Sequence, residues 1–164
     1  MVKCSIGQDS HAFEKEPGKP LILGGVLFKD SSIGLRANSD GDVVLHAITN
    51  AISGITGRNI LGKIADDICK SGITDSAAYL KVAIKDLSDT PYKINHLSIT
   101  IECLTPKIAP YISDMKENIA YLLGISASDV GITATTGEGL TQFGQGLGIS
   151  VFCILTVSDR TDGN

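Results

Sequence analysis

Alternating hydrophobic and polar positions mark several short segments of the chain. Such alternation places one face of a strand on the core and the other in solvent, so each segment predicts a strand. A Gly-Gly pair separates two of the segments, which is typical of a tight turn. The last segment is nearly all apolar, which favours a central place in a sheet. The predicted strands are residues 2–9, 21–23, 26–28, 94–104, 130–136 and 148–158.

A first helix is predicted where apolar residues recur at helical spacing over residues 44–55. Residues 39–42, Ser-Asp-Gly-Asp, precede it and offer an N-cap and an acidic first turn. Gly57 stands where a helix would end.

Further helices alternate with the strands. One is predicted over residues 76–88, ending before Pro91, and another follows Pro106 and ends at Gly124. Residues 58–75 show no clear pattern and are expected to form an active-site or surface loop. The interleaving predicts an α/β fold, an α+β layer sandwich with helices on one face of the sheet.

Length and composition limit the classes of protein to consider. A chain of 164 residues suits one domain, predicted over residues 1–158, with a polar C-terminal tail at 159–164. The net charge of -4, without a Lys/Arg block, argues against nucleic acid as a partner. No apolar stretch is long enough to cross a bilayer, so no membrane partner is expected. The chain start lacks the apolar run of a signal peptide, which predicts the cytoplasm, or a plastid stroma after removal of a transit peptide.

The four cysteines are too far apart in sequence for a C-x-x-C pair, so separate reduced thiols are expected. Cys153 lies in an apolar run and is expected in the core. His96 falls on the polar face of its strand and is interpreted as a surface or interface histidine.

Three side chains have the chemistry of a catalytic metal site. Asp9 and His11 follow the first strand, and His46 lies on the first helix one turn after Asp42. One carboxylate and two imidazoles leave a coordination position open, as catalytic zinc sites require. Asp42 could orient His46 or serve the helix N-terminus. Alternatively, Asp9 forms a turn with its own backbone, and Asp42 and His46 are a surface pair.

Two further segments could bind phosphate groups. Residues 133–139 carry small hydroxyls into a Gly-rich stretch, and Glu138 suits Mg²⁺ shared with phosphate oxygens. A hairpin loop with turn glycines explains the same residues. Residues 104–107 end a strand and open a helix, where Lys107 could add positive charge. Pro106 in a first helical turn with a solvated Lys107 is the alternative.

Together these segments resemble the 2-C-methyl-D-erythritol 2,4-cyclodiphosphate synthase family. The matching motifs occur in family order over nearly the whole chain. They are residues 7–13 (GQDSHAF), 21–26 (LILGGV), 39–47 (SDGDVVLHA), 105–107 (TPK) and 134–138 (ATTGE).

The resemblance implies a homotrimer with active sites between subunits and a specific cyclisation. The substrate would be 4-diphosphocytidyl-2-C-methyl-D-erythritol 2-phosphate. Its 2-phosphate oxygen would attack the β-phosphorus, forming the cyclic diphosphate and releasing CMP in the non-mevalonate isoprenoid pathway. The chain would therefore be a phosphorus-oxygen lyase. Positioning and charge stabilisation suffice for such chemistry, because the substrate carries its own nucleophile.

The resemblance also assigns roles to residues. Asp9, His11 and His46 match ligands of Zn²⁺ or Mn²⁺, and Glu138 matches a ligand of Mg²⁺ bound with the diphosphate. Thr136 and Asn38 match groups that steady the transition state, and residues 103–109 match the cytidine-phosphate pocket. The substrate contacts implied are Asp9, Ser10, His11, Asn38, Ser39, Gly62, Asp67, Cys103, Leu104, Thr105, Pro106, Lys107, Thr135, Thr136, Gly137, Glu138, Gln142 and Gln145.

The chain departs from the family pattern at several of these positions. Asn38 stands where the family usually has His, and Asn cannot carry a positive charge. The loop at 59–67 is altered, Gln145 replaces an Arg, and Gly137 replaces a Thr. Two other functions therefore stay open: a zinc-dependent phosphoester hydrolase using a metal-bound water, and a non-catalytic trimeric binding protein on the same scaffold.

Overall fold

A four-stranded mixed sheet lies at the centre of the fold, in the order β1-β6-β4-β5. The computed structural model describes residues 1–161 of the chain. The strands are β1 (Val2–Ala12), β2 (Ile22–Leu23), β3 (Val26–Leu27), β4 (Tyr92–Glu102), β5 (Val130–Thr135) and β6 (Gly148–Asp159). The helices are α1 (Val43–Thr56), α2 (Lys63–Lys70), α3 (Ser76–Ser88) and α4 (Ile112–Leu123).

Strand β6 is an inner strand, as its apolar sequence predicts. It pairs antiparallel with β1 on one side and with β4 on the other. Strand β4 also pairs parallel with β5, which makes the sheet mixed. The short strands β2 and β3 form a separate hairpin.

The helices cover one face of the sheet and leave the other open. Alternate residues of β6, such as Val151 and Leu155, are fully buried on the helical side. Between them, Phe152 and Ile154 are 45% and 47% exposed on the opposite side. Ile6, the cross-strand neighbour of Ile154 on β1, is also exposed. The predicted layer sandwich with one helical face is confirmed.

Helix α1 lies directly against β1. Gly7 faces the helix, and a Cβ on Gly7 would lie 2.0 Å from the carbonyl oxygen of Ala47 and 2.4 Å from the amide nitrogen of Ala51. Only a glycine permits so close an approach of strand and helix backbones. The contact fixes α1, and therefore His46, relative to the strand that carries Asp9 and His11.

The predicted limits of α1 are confirmed. Asp42 is the N-cap residue, and its side chain accepts hydrogen bonds from the backbone N–H groups of Val44 and Leu45. Gly57 ends the helix with φ 74°, the left-handed conformation that favours glycine.

The expectation of a loop over residues 58–75 was wrong for its middle part, which forms α2. The helix buries one side of Ile64, Ala65, Ile68 and Cys69 against the core, and these residues recur at helical spacing. It spans only eight residues and begins after Gly62, which provides no side-chain cap. Because the apolar spacing covers less than two turns and no capping residue precedes it, a helix was not predicted here.

Other element limits also differ from expectation. Strand β1 continues past Asp9 to Ala12 because its backbone pairs with β6 along its whole length. Helix α4 begins at Ile112, after a 3₁₀ turn at Ala109–Tyr111, so Pro106 is not in a helical turn. Strand β6 extends to Asp159, the first residue of the predicted tail. Residues 162–164 of that tail lie outside the described residues.

The cysteines and one histidine lie where the sequence places them. All four cysteines are free thiols, Cys153 is buried in the core, and His96 is exposed. Among residues 1–161, no helix combines the length and apolar character needed to cross a membrane.

Candidate metal centre and active site

Strand β1 and helix α1 bring three metal-ligating side chains together. Asp9 and His11 are two residues apart on a strand, so both side chains face α1. His46 lies on the first turns of α1, opposite them. The Nδ1 atom of His46 lies 2.9 Å from Oδ2 of Asp9 and 3.4 Å from Nε2 of His11, which is 3.1 Å from the same Asp9 oxygen.

These separations fit one metal ion. Ligand atoms about 2.0–2.1 Å from a tetrahedrally coordinated zinc lie about 3.3 Å from each other. The three donor atoms all lie within 4.8 Å of one another and come from two imidazoles and one carboxylate. Their chemistry therefore suits a divalent cation, with a coordination position left for another ligand.

The electrostatics of Asp9 favour its ionised form. Burial alone would raise its pKa, but hydrogen bonds with His11 and His46 outweigh burial and lower the pKa well below the ordinary value. The carboxyl group is therefore a carboxylate across the physiological pH range, as a metal ligand must be.

The Asp42 carboxylate hydrogen-bonds backbone N–H groups, whereas the ring nitrogens of His46 have other partners, so of the two roles considered for Asp42 the structure favours the helix N-terminus. Besides capping α1, its carboxylate accepts the N–H groups of Gly24 and Gly25, at 2.9 Å and 2.6 Å. It thereby joins the β2–β3 turn to the start of α1. Burial raises the pKa of Asp42 to about 6, although the backbone N–H donors act in the opposite direction.

The second ring nitrogen of His46 contacts residues that the sequence did not indicate. Nε2 lies 2.8 Å from Oγ of Ser76, the first residue of α3. The Ser76 hydroxyl in turn donates to Oδ1 of Asp40. The ring of Tyr79 packs beside His46 at a centroid distance of 6.2 Å.

A cavity of about 370 Å³ opens beside the three metal-ligating residues. Asn38, Ser39 and Gly62, all predicted to contact substrate, line it. Asp67, also predicted to contact substrate, is not among the lining residues and forms an ion pair with Lys63 on α2 at 2.6 Å. Lining residues that sequence reasoning missed are Ala37, Leu61, Ala65, Asp66, Cys69 and Tyr79.

A larger cavity, of about 830 Å³, also reaches His11. Ser10, His11, Thr105, Pro106 and Gln142, all predicted site residues, line this cavity. Its missed residues include the charged side chains of Glu14, Asp30 and Arg36, which no motif indicated.

The Gly-rich segment forms a tight loop at the end of the sheet where β1 carries Ser10 and His11. Thr135 ends β5, and Thr136 lies at the start of a 3₁₀ turn at Gly137–Gly139. Within it, Glu138 is exposed and has φ 52°, unusual for a residue with a side chain. The Thr136 hydroxyl donates to Oε1 of Glu138 at 3.4 Å. Glu138 does not belong to the cluster of Asp9, His11 and His46, the one such group found among residues 1–161.

Other predicted residues differ in exposure. Lys107 is exposed, Leu104 is 40% exposed, and the Gln145 side chain donates to the Gly139 carbonyl at 3.3 Å. Cys103 is buried with Sγ 3.1 Å from the Thr105 carbonyl oxygen, and burial raises its pKa to about 12. Its thiol is therefore neutral and unsuited to nucleophilic chemistry.

The chain is similar to known proteins over nearly its whole length. The model of the YgbB family matches residues 2–158. The chain belongs to the YgbB family. A curated relative from Chlamydia muridarum, named 2-C-methyl-D-erythritol 2,4-cyclodiphosphate synthase, is 54% identical over 96% of this chain and 88% of its own length. One of the same name from Chlamydia caviae is 52% identical, over 96% and 89%.

Solved structures of similar proteins share the fold of this YgbB-family chain. IspF from Plasmodium falciparum in complex with CDP has a TM-score of 0.84 at 25% identity, covering 98% of this chain and 97% of its own. The 2C-methyl-D-erythritol 2,4-cyclodiphosphate synthase from Plasmodium vivax has a TM-score of 0.80 at 28% identity, covering 98% and 100%.

Proposed function

We propose that the chain converts 4-diphosphocytidyl-2-C-methyl-D-erythritol 2-phosphate to 2-C-methyl-D-erythritol 2,4-cyclodiphosphate and CMP. Its close relatives carry the name of that synthase, and a structural relative binds CDP. The observation that carries the proposal is the cavity beside Asp9, His11 and His46, which Asn38 and Ser39 also line.

The residues of this cavity suit a substrate that supplies its own nucleophile. The side chains of Asn38 and Ser39 offer N–H and O–H donors to phosphate oxygens. Such groups hold the 2-phosphate near the β-phosphorus and oppose the negative charge that builds up during attack. Asn38 contributes a hydrogen bond without a charge, so its share is smaller than that of an imidazolium.

Two metal positions complete the proposed site. Asp9, His11 and His46 would hold Zn²⁺ or Mn²⁺, and Glu138, exposed on its loop, would hold Mg²⁺ together with the diphosphate. Bound there, the ions supply positive charge that polarises the phosphoryl groups and offsets the charge of the transition state. Thr136, which hydrogen-bonds Glu138, would steady the same phosphates.

We also propose a homotrimer in which the two parts of the site come from neighbouring subunits. The open sheet face exposes Ile6, Phe152 and Ile154 as adjoining apolar side chains, which in a monomer would stay in water. Glu138 lies outside the metal-ligating cluster of its own chain, which agrees with a site completed by a second copy. The segment at residues 103–109 would then supply the cytidine pocket.

The activity test uses the purified chain with the cytidyl substrate and Mg²⁺, followed by ³¹P NMR. The proposal expects the cyclic diphosphate and one CMP per substrate consumed. A linear, hydrolysed product would instead support the phosphoester hydrolase. Retained substrate binding without any turnover would support a non-catalytic binding protein. We also propose that the activity is cytoplasmic, which the bacterial origin of the relatives that carry this name supports.

Assembly is tested by light scattering coupled to size-exclusion chromatography. Phe152→Lys puts a charge into the proposed interface and is expected to reduce the trimer to monomers. Tyr121→Lys, the same change from an aromatic residue to a positive charge at a position 83% exposed on α4, serves as control. A wild-type chain that elutes as a monomer at micromolar concentration would refute the trimer.

A further inference from the structure

The hydroxyl of Ser76 joins His46 to Asp40, and these contacts suggest how the metal ligand is oriented. Ser76 is fully buried, and its Oγ lies between Nε2 of His46, at 2.8 Å, and Oδ1 of Asp40. The second Asp40 oxygen accepts the Ser76 backbone N–H at 3.0 Å. Asp40 Oδ1 also accepts the Asp42 backbone N–H at 3.0 Å. Both oxygens of Asp40 are thus hydrogen-bonded.

Proton counting fixes the direction of these bonds. A carboxylate only accepts hydrogen bonds, so the single hydroxyl proton of Ser76 goes to Asp40. The Ser76 oxygen is then left as an acceptor towards Nε2 of His46. A hydrogen bond there requires that Nε2 carries the ring proton, which leaves Nδ1 with its lone pair facing Asp9 and His11.

We infer that Ser76 and Asp40 are positioning residues for the metal centre: they hold the Nε2–H tautomer of His46 and its ring orientation, so that Nδ1 is the ligating nitrogen. This inference rests on the metal centre of the proposed function. Asp40 is itself held in place. Its side chain hydrogen-bonds Ser76 on α3, and its backbone N–H donates to the Thr74 carbonyl at 2.8 Å. Partners of this kind typically change metal affinity by about 10–100-fold.

Ser76→Ala removes the hydroxyl and keeps the helix. It is expected to weaken Zn²⁺ binding, measured by competition with a chromophoric chelator, by about 10–100-fold. Ser53→Ala is the matched control. Ser53 lies on α1 like His46, and its buried hydroxyl makes no hydrogen bond within residues 1–161, so its removal should leave zinc affinity unchanged.

Long-range ¹H–¹⁵N NMR of the zinc-loaded wild type gives a readout that needs no variant to fold. The inference expects a proton on Nε2 of His46, protected from exchange with water, and loss of that protection in Ser76→Ala. A proton on Nδ1 in the wild type would overturn it. So would unchanged zinc affinity in Ser76→Ala while the wild type binds zinc. A wild type without zinc affinity would overturn the metal centre as well.

Discussion

Replacing Gly7 by alanine should separate the two elements that carry the metal ligands. The added Cβ would lie 2.0 Å from the carbonyl oxygen of Ala47, the residue after His46. A carbon–oxygen contact needs more than 3 Å, so strand and helix must move apart by about 1 Å or more. Metal–ligand distances tolerate only about 0.2 Å, so His46 can no longer share an ion with Asp9 and His11.

The expected outcome for Gly7→Ala is twofold. Zinc affinity, measured by chelator competition, should fall by at least about 100-fold, beyond the usual effect of an outer partner. The free energy of unfolding, from urea titration of the metal-free protein, should fall by about 3 kcal/mol, the upper range for overpacking, because the obstacle is backbone.

Gly54→Ala is the matched control at the same helix–strand contact. Its Cβ would lie 3.1 Å from Cβ of Ser5, which is a side-chain atom, and a small adjustment can relieve the contact. Alanine also favours the helix by about 1 kcal/mol over glycine. We therefore expect nearly unchanged stability and zinc affinity. If Gly7→Ala behaved like this control, the backbone contact would not be what positions His46.

Three further outcomes follow from the structure. Asp42→Ala should lower the free energy of unfolding by about 3 kcal/mol, since it removes the α1 cap and the acceptor of two turn N–H groups; equal urea midpoints would contradict this. Cys103 and Cys153, whose pKa values burial raises to about 12, should resist iodoacetamide at pH 8 until urea unfolds the chain, as mass spectrometry would show. Glu138→Gln should reduce Mg²⁺-dependent turnover at least about tenfold, because one contact that stabilises charge is lost, and should leave the zinc stoichiometry unchanged. Loss of zinc would instead make Glu138 a ligand of the site formed by Asp9, His11 and His46.

The sequence predicts the sheet and the pairing of Asp9 with His11 because both follow short-range rules. Period-two alternation identifies strands, and an Asp-x-His at a strand end must present both side chains on one face. That His46 faces them depends on how α1 packs on β1. Residue chemistry therefore offered His46 only as one alternative, which the family resemblance then supported. The Gly7 contact that fixes this packing gives no signal in the sequence beyond a single glycine.

Residues that act through tertiary contacts escaped prediction. Ser76 is 30 positions from His46, and nothing in its local pattern indicates that its hydroxyl meets an imidazole. Gly137 was visible as a departure from the family, and the structure shows why glycine suits the position. Its φ is 75°, and a Cβ there would lie 2.2 Å from Oε1 of Glu102, whose carboxylate accepts the Thr141 hydroxyl.

The pairing of β1 with β6 also sets an order of events during synthesis. Strand β1 carries Asp9 and His11, yet its partner in the sheet begins at Gly148. Until β6 has left the ribosome, β1 lacks the backbone hydrogen bonds that hold it in the sheet. Contacts so distant in sequence form late. A nascent chain can therefore display the individual histidines but cannot present a finished ion site, so loading with metal belongs to the completed polypeptide.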